Sequence, residues 1–390
     1  MIVRERTYLD YNATAPMRPA VAEVVARASA LPGNPSSVHA EGRAARAAVE
    51  AAREQVAALI GAQPKNVVFT SGGTEAANTV LTPTVRRSRE AGPAARLLVG
   101  ASEHVCVLRG HRFADEVVGR IPVDREGLVD LSALSDRLDK VEGRALVSIQ
   151  AANNETGVMQ PVAEAASLVH ARGGLLHCDA VQAAGKVKVN QAELGADILT
   201  LSAHKLGGPK GVGAIVFASD RIEVGDRLVR GGGQERGWRA GTENIAAIAG
   251  FGAAAALAGQ DREREATRLR GLREACEASV RRLAPEAVIF GEGAERLPNT
   301  LAFAVPGLKA ETALIALDLD GVAVSSGSAC SSGKVSRSHV LEAMGVAPAL
   351  ASGAIRLSLG WASTEGDVNR FASAFEKLLS TLYRGRARAA

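Results

Sequence analysis

The stretch "NVVFTSGGTEAAN" (66–78) joins a short run of β-branched and aromatic residues to a glycine pair and then to a helix-forming segment. Glycines let a backbone approach a ligand closely, and the free amides at a helix N-terminus point toward an anion. Two interpretations follow, a phosphate-binding turn or a tight turn in which Thr74 is the N-cap of the helix. Both predict a strand, a turn and a helix in direct succession.

Short β-rich runs alternate with helical segments from about residue 40 to residue 220. The segments between the runs, such as "PVAEAASLVHARG" (161–173), have apolar residues at helical spacing. Repetition of strand, helix and strand predicts a largely parallel sheet with helices on both faces. The predicted strands are "NVVF" (66–69), "RLLVGA" (96–101), "ALVSIQ" (145–150), "GLLHCD" (174–179), "DILTLSA" (197–203) and "GAIVFAS" (213–219).

A long run rich in Ala, Arg and Glu, roughly 244–284, predicts a helix that links two domains. We expect a large domain over 15–255 and a smaller α/β domain formed by 1–14 and 256–390. A chain of 390 residues also exceeds the usual size of a single core. The smaller domain has strand candidates at 299–305 and 354–359 and helix candidates at about 309–319, 336–344 and 364–384.

Composition excludes several classes of protein. Hydrophobic content of 47% with 23% charged residues is typical of a folded protein rather than a disordered one. No run reaches the roughly 18 apolar residues of a membrane span. The N-terminal sequence lacks the apolar segment of a secretory signal, so we expect a cytoplasmic protein without a membrane partner.

Charge and cysteine content exclude further classes of protein. The 46 basic residues are nearly balanced by 42 acidic ones, and the surplus of +4 is diffuse, so no nucleic-acid partner is expected. Four cysteines without a CxxC pair predict reduced thiols, not a disulfide framework or a metal cluster. We therefore expect no metal site.

Three polar residues lie at or just after the ends of predicted strands, namely His104, Asp179 and Lys205. The carboxyl ends of parallel strands share one edge of a sheet, where ligands bind. Each residue also has a structural interpretation: Asp179 as a helix cap, His104 as a hydrogen-bonded loop residue and Lys205 as a solvated side chain. Together with the glycine turn they fit pyridoxal phosphate, which needs a Schiff-base lysine, a carboxylate against its ring nitrogen and donors for its phosphate.

The sequence resembles the group I cysteine desulfurases of the NifS and IscS type, within the class V aminotransferases of fold-type I pyridoxal phosphate enzymes. The resemblance runs from about residue 7 to residue 378 and implies a fold-type I transferase, with a mostly parallel seven-stranded sheet in the large domain and a smaller α/β C-terminal domain. The motifs that carry it are "YLDYNATAP" (8–16), "GNPSSVHAEGR" (33–43), "TSGGTEAAN" (70–78), "EHVCVL" (103–108), "NNETGVMQP" (153–161), "DAVQAAGK" (179–186), "SAHKLGGPKG" (202–211), "GGGQERGWRAGTEN" (231–244), "SSGSACSSG" (325–333) and "RLSLG" (356–360).

The resemblance implies a role for each matching residue. Lys205 would form the Schiff base and then move protons at the substrate carbons, and His104 would stack on the ring and take part in acid–base steps. Asp179 would pair with the ring nitrogen. The remaining implied roles are Gln182 and Asn154 near the ring hydroxyl and substrate; Gly73, Thr74, Ser202 and His204 at the phosphate; Thr242 at the phosphate from a second subunit of a homodimer; and Arg356, with Asn34, at the substrate carboxylate.

Cys330 would be the nucleophile that takes sulfur from the substrate, leaving a persulfide on itself and alanine as the product. Small residues surround it, and a thiolate that attacks sulfur needs access and reach. A surface cysteine in a linker is the structural alternative. Cys178 and Cys276 are expected to be buried small hydrophobes, whereas Cys106 either packs or approaches the site.

The leading hypothesis is an L-cysteine desulfurase that passes persulfide sulfur to an iron–sulfur scaffold protein or another acceptor. A selenocysteine lyase or another class V enzyme is the alternative within the same family, and Cys330 distinguishes them because plain transamination needs no acceptor thiol. The alternative of another class is a non-catalytic module with this fold that binds partners. A spectral response to L-cysteine separates that module from an enzyme.

Overall fold

The structure, a computed structural model, describes residues 6–88, 92–326 and 337–383. The strands in these ranges are β1 (Thr7–Tyr8), β2 (Val67–Thr70), β3 (Val85–Arg87), β4 (Arg96–Gly100), β5 (Val118–Ile121), β6 (Ala145–Ser148), β7 (Leu175–Asp179), β8 (Ile198–Ser202), β9 (Gly213–Phe217), β10 (Ile222–Val224), β11 (Val288–Ile289), β12 (Thr300–Ala304), β13 (Val322–Ala323) and β14 (Ile355–Ser358). The α-helices are α1 (Pro19–Ser29), α2 (Ala40–Leu59), α3 (Gly73–Val80), α4 (Val105–Leu108), α5 (Leu131–Leu138), α6 (Val162–His170), α7 (Gln191–Leu194), α8 (Ile245–Leu283), α9 (Ala310–Leu319), α10 (His339–Ala343), α11 (Pro348–Ala351) and α12 (Glu365–Leu378).

A seven-stranded sheet forms the centre of the larger part of the chain, with strand order β2-β9-β8-β7-β6-β4-β5. Strands β8, β7, β6, β4 and β5 pair in parallel, and within this sheet only β9 runs in the opposite direction. The mostly parallel seven-stranded sheet predicted above is confirmed. The six predicted strands were recognisable because helices cover both faces, so their residues read as nearly continuous apolar runs.

Strand β5 was not predicted from the sequence. It lies at the edge of the sheet and pairs with β4 alone. Only its last residue, Ile121, is buried, so the run "VGRI" lacks the continuous apolar pattern of the inner strands. Because β5 is at the edge of the sheet, it lacks the continuous apolar run from which the inner strands were predicted.

Helix α8 contributes to two separate apolar cores. Phe251 near its start packs in a core that includes residues of β7 and β8, whereas Cys276 packs in a second core with Phe303 of β12 and Phe371 of α12. The long helix predicted over 244–284 is confirmed. The domain boundaries at residues 15 and 255 stay predictions.

The second core lies under a three-stranded antiparallel sheet of order β11-β12-β14. Beside it, β1 pairs in parallel with β13, and this places the N-terminal segment against the C-terminal part of the chain. The helices predicted near 309–319 and 364–384 are α9 and α12. The helix predicted over 336–344 begins at His339, because Ser338 accepts a hydrogen bond from the Leu341 amide as its N-cap. None of the described helices has a stretch long and apolar enough to cross a bilayer.

A buried histidine, two residues before the end of β7, contacts the two neighbouring strands of the central sheet. His177 is fully buried, and its Nδ1 and Nε2 atoms lie 2.8 Å from Ser148 Oγ and 3.1 Å from Thr200 Oγ1. The ring thus joins β6, β7 and β8 below the point where these strands end. Burial disfavours the charged imidazolium and lowers the pKa of His177 to about 3.

We predict that His177→Gln flattens the acid dependence of stability. The unfolded chain protonates this histidine near pH 6.5 and the folded protein only near pH 3, so its contribution to stability is complete above pH 6.5 and is lost as the pH falls. Between pH 6.5 and pH 5 the loss amounts to about 2 kcal/mol. Chemical denaturation at several pH values measures it. A slope equal to that of the wild type would contradict the assignment.

Candidate active site

One cavity of about 310 Å³ lies at the carboxyl edge of the central sheet. The strands β2, β6, β7 and β8 end beside it, and α3 begins there. The structure therefore brings together residues that are up to 344 positions apart, from Asn12 to Arg356. The predicted site residues that line this cavity are Gly73, Thr74, His104, Asn154, Asp179, Gln182, Ser202, His204, Lys205 and Arg356.

The glycine turn opens α3 toward the cavity. The helix begins at Gly73 with Gly72 as its N-cap, so Thr74 lies inside the first turn and is not the N-cap that the structural alternative required. A Cβ atom at Gly73 would come within 3.0 Å of Val181 Cγ2 and 3.6 Å of Ser202 Cβ. Glycine thus keeps the cavity wall free of a side chain where the first-turn amides of α3 can meet an anion.

Asp179 ends β7 at the wall of the cavity. Its Oδ1 atom accepts a hydrogen bond of 2.9 Å from the Val181 amide, so the capping role considered above coexists with a place in the site. Burial raises the pKa of Asp179 to about 6, while the Val181 hydrogen bond and the charge of Lys205 oppose that rise. Its carboxyl group is therefore ionised at neutral pH and lies near a cation.

Lys205 is held by the N-terminal segment and is not a solvated surface side chain. Its Nζ atom donates hydrogen bonds to the carbonyl oxygens of Asn12 and Ala13, the second at 2.8 Å. Gln182 Nε2 donates to the same Asn12 carbonyl at 3.0 Å. Asn12 lines the cavity but was not assigned a role from the sequence, because its contribution is a backbone carbonyl. The motif "YLDYNATAP" (8–16) was the available signal.

Two histidines at the cavity are neutral at pH 7. Burial, followed by the charges of Lys205 and His339, lowers the pKa of His104 to about 4. Burial and the charge of Lys205 also lower the pKa of His204 to about 4. His104 Nδ1 accepts a hydrogen bond of 3.2 Å from the Cys106 amide. A neutral imidazole beside a cationic amine can accept a proton or stack on a ring without adding charge.

Arg356 is a buried cation of β14 that reaches the cavity from the smaller sheet. Its side chain donates through Nη1 to the Asn154 carbonyl at 3.0 Å and through Nη2 to Asp10 Oδ1 at 2.7 Å. The residue is 4% exposed. Asp10 was not predicted as a site residue, since this contact joins positions far apart in the sequence.

Two predicted residues lie apart from the cavity of the same chain. Asn34 is exposed, and its Oδ1 atom accepts a hydrogen bond of 2.9 Å from the Ser36 amide. Thr242 is also exposed and lines a separate cavity of about 270 Å³ with Ser71 and Arg239. The role of Thr242 at the phosphate of a second subunit stays a prediction.

Cys330 falls in 327–336, outside the described residues. The described residues on either side of that range are joined to the site. Ser325 pairs with Arg356 through backbone hydrogen bonds of 2.6 and 3.1 Å. Ser338 Oγ donates to Glu155 Oε2, and His339 Nε2 lies 2.8 Å from the carbonyl oxygen of Glu103.

The other three cysteines have no activated thiol. Cys178 and Cys276 are fully buried, as predicted. Cys106 lines the cavity, but burial, together with the charges of Asp179 and Glu103, raises the pKa of its thiol well above the usual value. A protonated thiol is a weak nucleophile. No group of three or more His, Cys, Asp or Glu side chains in the described parts of the chain is arranged to hold a metal ion.

A mostly parallel α/β sheet with a lysine, a carboxylate and a helix N-terminus at its carboxyl edge fits the aminotransferase class V family, whose model matches residues 7–371. A cysteine desulfurase of Cereibacter sphaeroides is 43% identical over 395 residues, 97% of each chain. The cysteine desulfurase IscS of Dictyoglomus turgidum is 39% identical, over 97% of this chain and 96% of that protein. The crystal structure of a NifS-like protein from Rickettsia africae superposes with a TM-score of 0.87 at 34% identity, over 97% of this chain and all of that one.

This chain therefore belongs to the class V aminotransferase family and, within it, to the cysteine desulfurases of the NifS and IscS type.

We predict that Ser338→Ala lowers the free energy of unfolding by about 1–3 kcal/mol, because it leaves the buried Glu155 carboxyl without its hydroxyl donor and removes the N-cap of α10. Ser352→Ala is the matched control, since that serine is exposed and, among described residues, its hydroxyl donates only to the nearby Ala349 carbonyl. Denaturant titration measures the free energy of unfolding of both variants. Equal losses in the two would contradict a stabilising role for the contact between Ser338 and Glu155.

Proposed function

We propose that this protein is an L-cysteine desulfurase that uses pyridoxal phosphate and passes sulfur to an acceptor protein through Cys330. The observation that carries the proposal is the single cavity in which Lys205, Asp179 and the first turn of α3 meet. Membership of the cysteine desulfurases supports the substrate, because the related proteins carry that activity in their names.

The residues present fit pyridoxal phosphate. Lys205 Nζ lies at the cavity for covalent attachment, and the Asp179 carboxylate is available for a protonated ring nitrogen. The glycine turn, Ser202 and His204 supply donors for a phosphate on the same wall. When bound, the cofactor supplies an electron sink for the carbanion chemistry at the substrate.

Lys205 and His104 are the residues proposed to move protons. The Lys205 amine would carry protons at the substrate α- and β-carbons, while His104 would stack on the cofactor ring and exchange a proton nearby. The low pKa of His104 keeps its ring neutral and able to accept that proton at pH 7. Gln182 and Asn154 are proposed to lie at the ring hydroxyl and the substrate.

Arg356 is proposed to bind the substrate carboxylate, because its planar guanidinium can donate two parallel hydrogen bonds to a planar carboxylate. Its guanidinium reaches the cavity and is fixed by the Asn154 carbonyl and Asp10. The assistance of Asn34 stays a prediction, because its side chain bonds to Ser36 and lies away from this cavity.

Cys330 is proposed to take the sulfur. Its thiolate attacks the substrate sulfur, so that an S–S bond forms and the bond between sulfur and the β-carbon breaks. The electron pair of the broken bond and a proton end on that carbon. The products are alanine and a persulfide on Cys330. No oxidant is required, because the Cys330 thiol and the substrate thiol together become one persulfide on Cys330 and one C–H bond on the β-carbon of alanine.

The acceptor is proposed to be an iron–sulfur scaffold protein or another sulfur-using protein of the cytoplasm. A homodimer is proposed because Thr242 is exposed and does not line the cavity of its own chain, so that a second copy can use it. A selenocysteine lyase or other class V activity, and a non-catalytic partner-binding module, are the alternatives that the following experiment separates.

The test compares the wild type with Cys330→Ala and with the control Cys276→Ala, whose thiol is fully buried in the second core. Each protein is loaded with pyridoxal phosphate and given L-cysteine, while the visible spectrum, alanine and protein-bound persulfide are followed. We expect all three proteins to bind the cofactor and to change their visible spectrum with L-cysteine. Only Cys330→Ala should form alanine and persulfide more slowly, by about 100-fold or more.

Full turnover in Cys330→Ala would contradict Cys330 as the sulfur acceptor. A wild type that binds the cofactor but makes alanine without persulfide would favour another class V reaction. A wild type without any spectral response to L-cysteine would favour the partner-binding module.

A further inference from the structure

We propose that Asp10 is a positioning residue for substrate recognition: its carboxylate holds the guanidinium of Arg356 in the orientation that receives the substrate's α-carboxylate. The inference rests on the proposed function, because it takes Arg356 as the carboxylate receptor. It adds to that function a residue from the N-terminal segment that does not itself contact the reacting atoms.

Asp10 is fixed by the backbone on both sides. It forms a parallel β-bridge with Ser358, the last residue of β14 and two positions from Arg356. The Ser358 amide donates to the Leu9 carbonyl at 2.8 Å, and the Tyr11 amide donates to the Ser358 carbonyl at 3.2 Å. The Tyr8 hydroxyl also donates to the Asp10 carbonyl at 3.0 Å. The carboxylate thus starts from a backbone position that is locked to the strand of Arg356.

The guanidinium is fixed at two of its three nitrogens. Nη2 donates to Asp10 Oδ1 at 2.7 Å and Nη1 donates to the Asn154 carbonyl at 3.0 Å. Two acceptors on different nitrogens define the plane of the fork. A guanidinium has five N–H donors, so these contacts leave donors for a further acceptor. Nε is buried and has no hydrogen-bond partner among the described residues.

The surroundings favour an anionic ligand at this place. Arg356 and Lys205 line the same cavity. Burial, followed by the charges of Lys205 and Arg356, lowers the pKa of Lys186 to about 7, so both cations act on this nearby lysine. Asp10 compensates only one of them, and its side chain is 21% exposed against 5% for Arg356. A ligand carboxylate would therefore meet the positively charged guanidinium of Arg356, whose orientation is set by Asp10.

The loss of activity expected without Asp10 follows from the freer orientation of the Arg356 guanidinium. Without its ion pair, the Arg356 side chain keeps only the Asn154 carbonyl among the contacts given above and can turn about its own bonds. A displacement of about 1 Å at a substrate-positioning group costs up to about 100-fold in activity. The loss is confined to ligands that carry a carboxylate, because only these use the guanidinium.

The experiment titrates two ligands into the protein loaded with pyridoxal phosphate and follows visible absorption. L-Cysteine carries amine, thiol and carboxylate, whereas cysteamine has the same amine and thiol without the carboxylate. For Asp10→Ala we expect the apparent Kd for L-cysteine to rise about 10-fold or more and that for cysteamine to change less than about 2-fold. KM for L-cysteine should rise with it, more than kcat falls.

Two further substitutions control the result. Asp10→Asn keeps an oxygen acceptor at the same place and should restore the affinity for L-cysteine to within about 3-fold. Asp10→Ser is polar but too short to reach Arg356 and should behave as Asp10→Ala, which keeps the test usable if that variant folds poorly. Asp318→Ala removes an exposed ion pair with Arg6 near the same N-terminal strand and should leave both ligands unaffected.

Equal weakening of L-cysteine and cysteamine in the Asp10 variants would overturn the proposal, because it would indicate general structural damage. Unchanged affinity for L-cysteine would overturn it as well. A wild type that gives no response to L-cysteine would contradict the proposed function and this inference together, whereas a normal wild type beside an unchanged Asp10→Ala contradicts the inference alone.

Discussion

The position of the Lys205 amine is the constraint on which the rest of the site depends. A cation taken out of water is costly unless acceptors and counter-charges replace its hydration. The carbonyls of Asn12 and Ala13 accept its hydrogen bonds, and the carboxylate of Asp179 supplies opposite charge. Strands β7 and β8 deliver Asp179 and Lys205 to one edge because they are parallel neighbours in the sheet.

The site also depends on how β14 and the N-terminal segment pack against the larger part of the chain. Arg356 comes from β14 of the smaller sheet, and the segment around residues 10–14 passes between that strand and Lys205. Asn12 joins them, since its side chain donates to the Asn154 carbonyl at 3.2 Å and to Thr300 Oγ1 at 2.9 Å. The cavity is therefore a product of tertiary packing between elements far apart in the chain, and changes in that packing act directly on the groups that bind ligands.

Much of the fold and the site could be predicted because the signals were local. Inner strands have apolar runs, and a polar residue after such a run marks the edge where ligands bind, as for Asp179 and Lys205. The contacts of Asp10 and Asn12 could not be predicted in this way, because one is an ion pair across 346 positions and the other uses a backbone carbonyl. Thr242 stays a prediction, since a single chain places it away from the cavity.

The central claim, that Lys205 is the residue to which pyridoxal phosphate attaches, is tested by reducing the loaded protein with borohydride and mapping the modified peptide by mass spectrometry. The account predicts the label on Lys205, because its amine faces the cavity beside Asp179. Lys186, another half-buried lysine near this wall, is the informative comparison. A label on Lys186 or on a surface lysine, with Lys205 unmodified, would contradict the account.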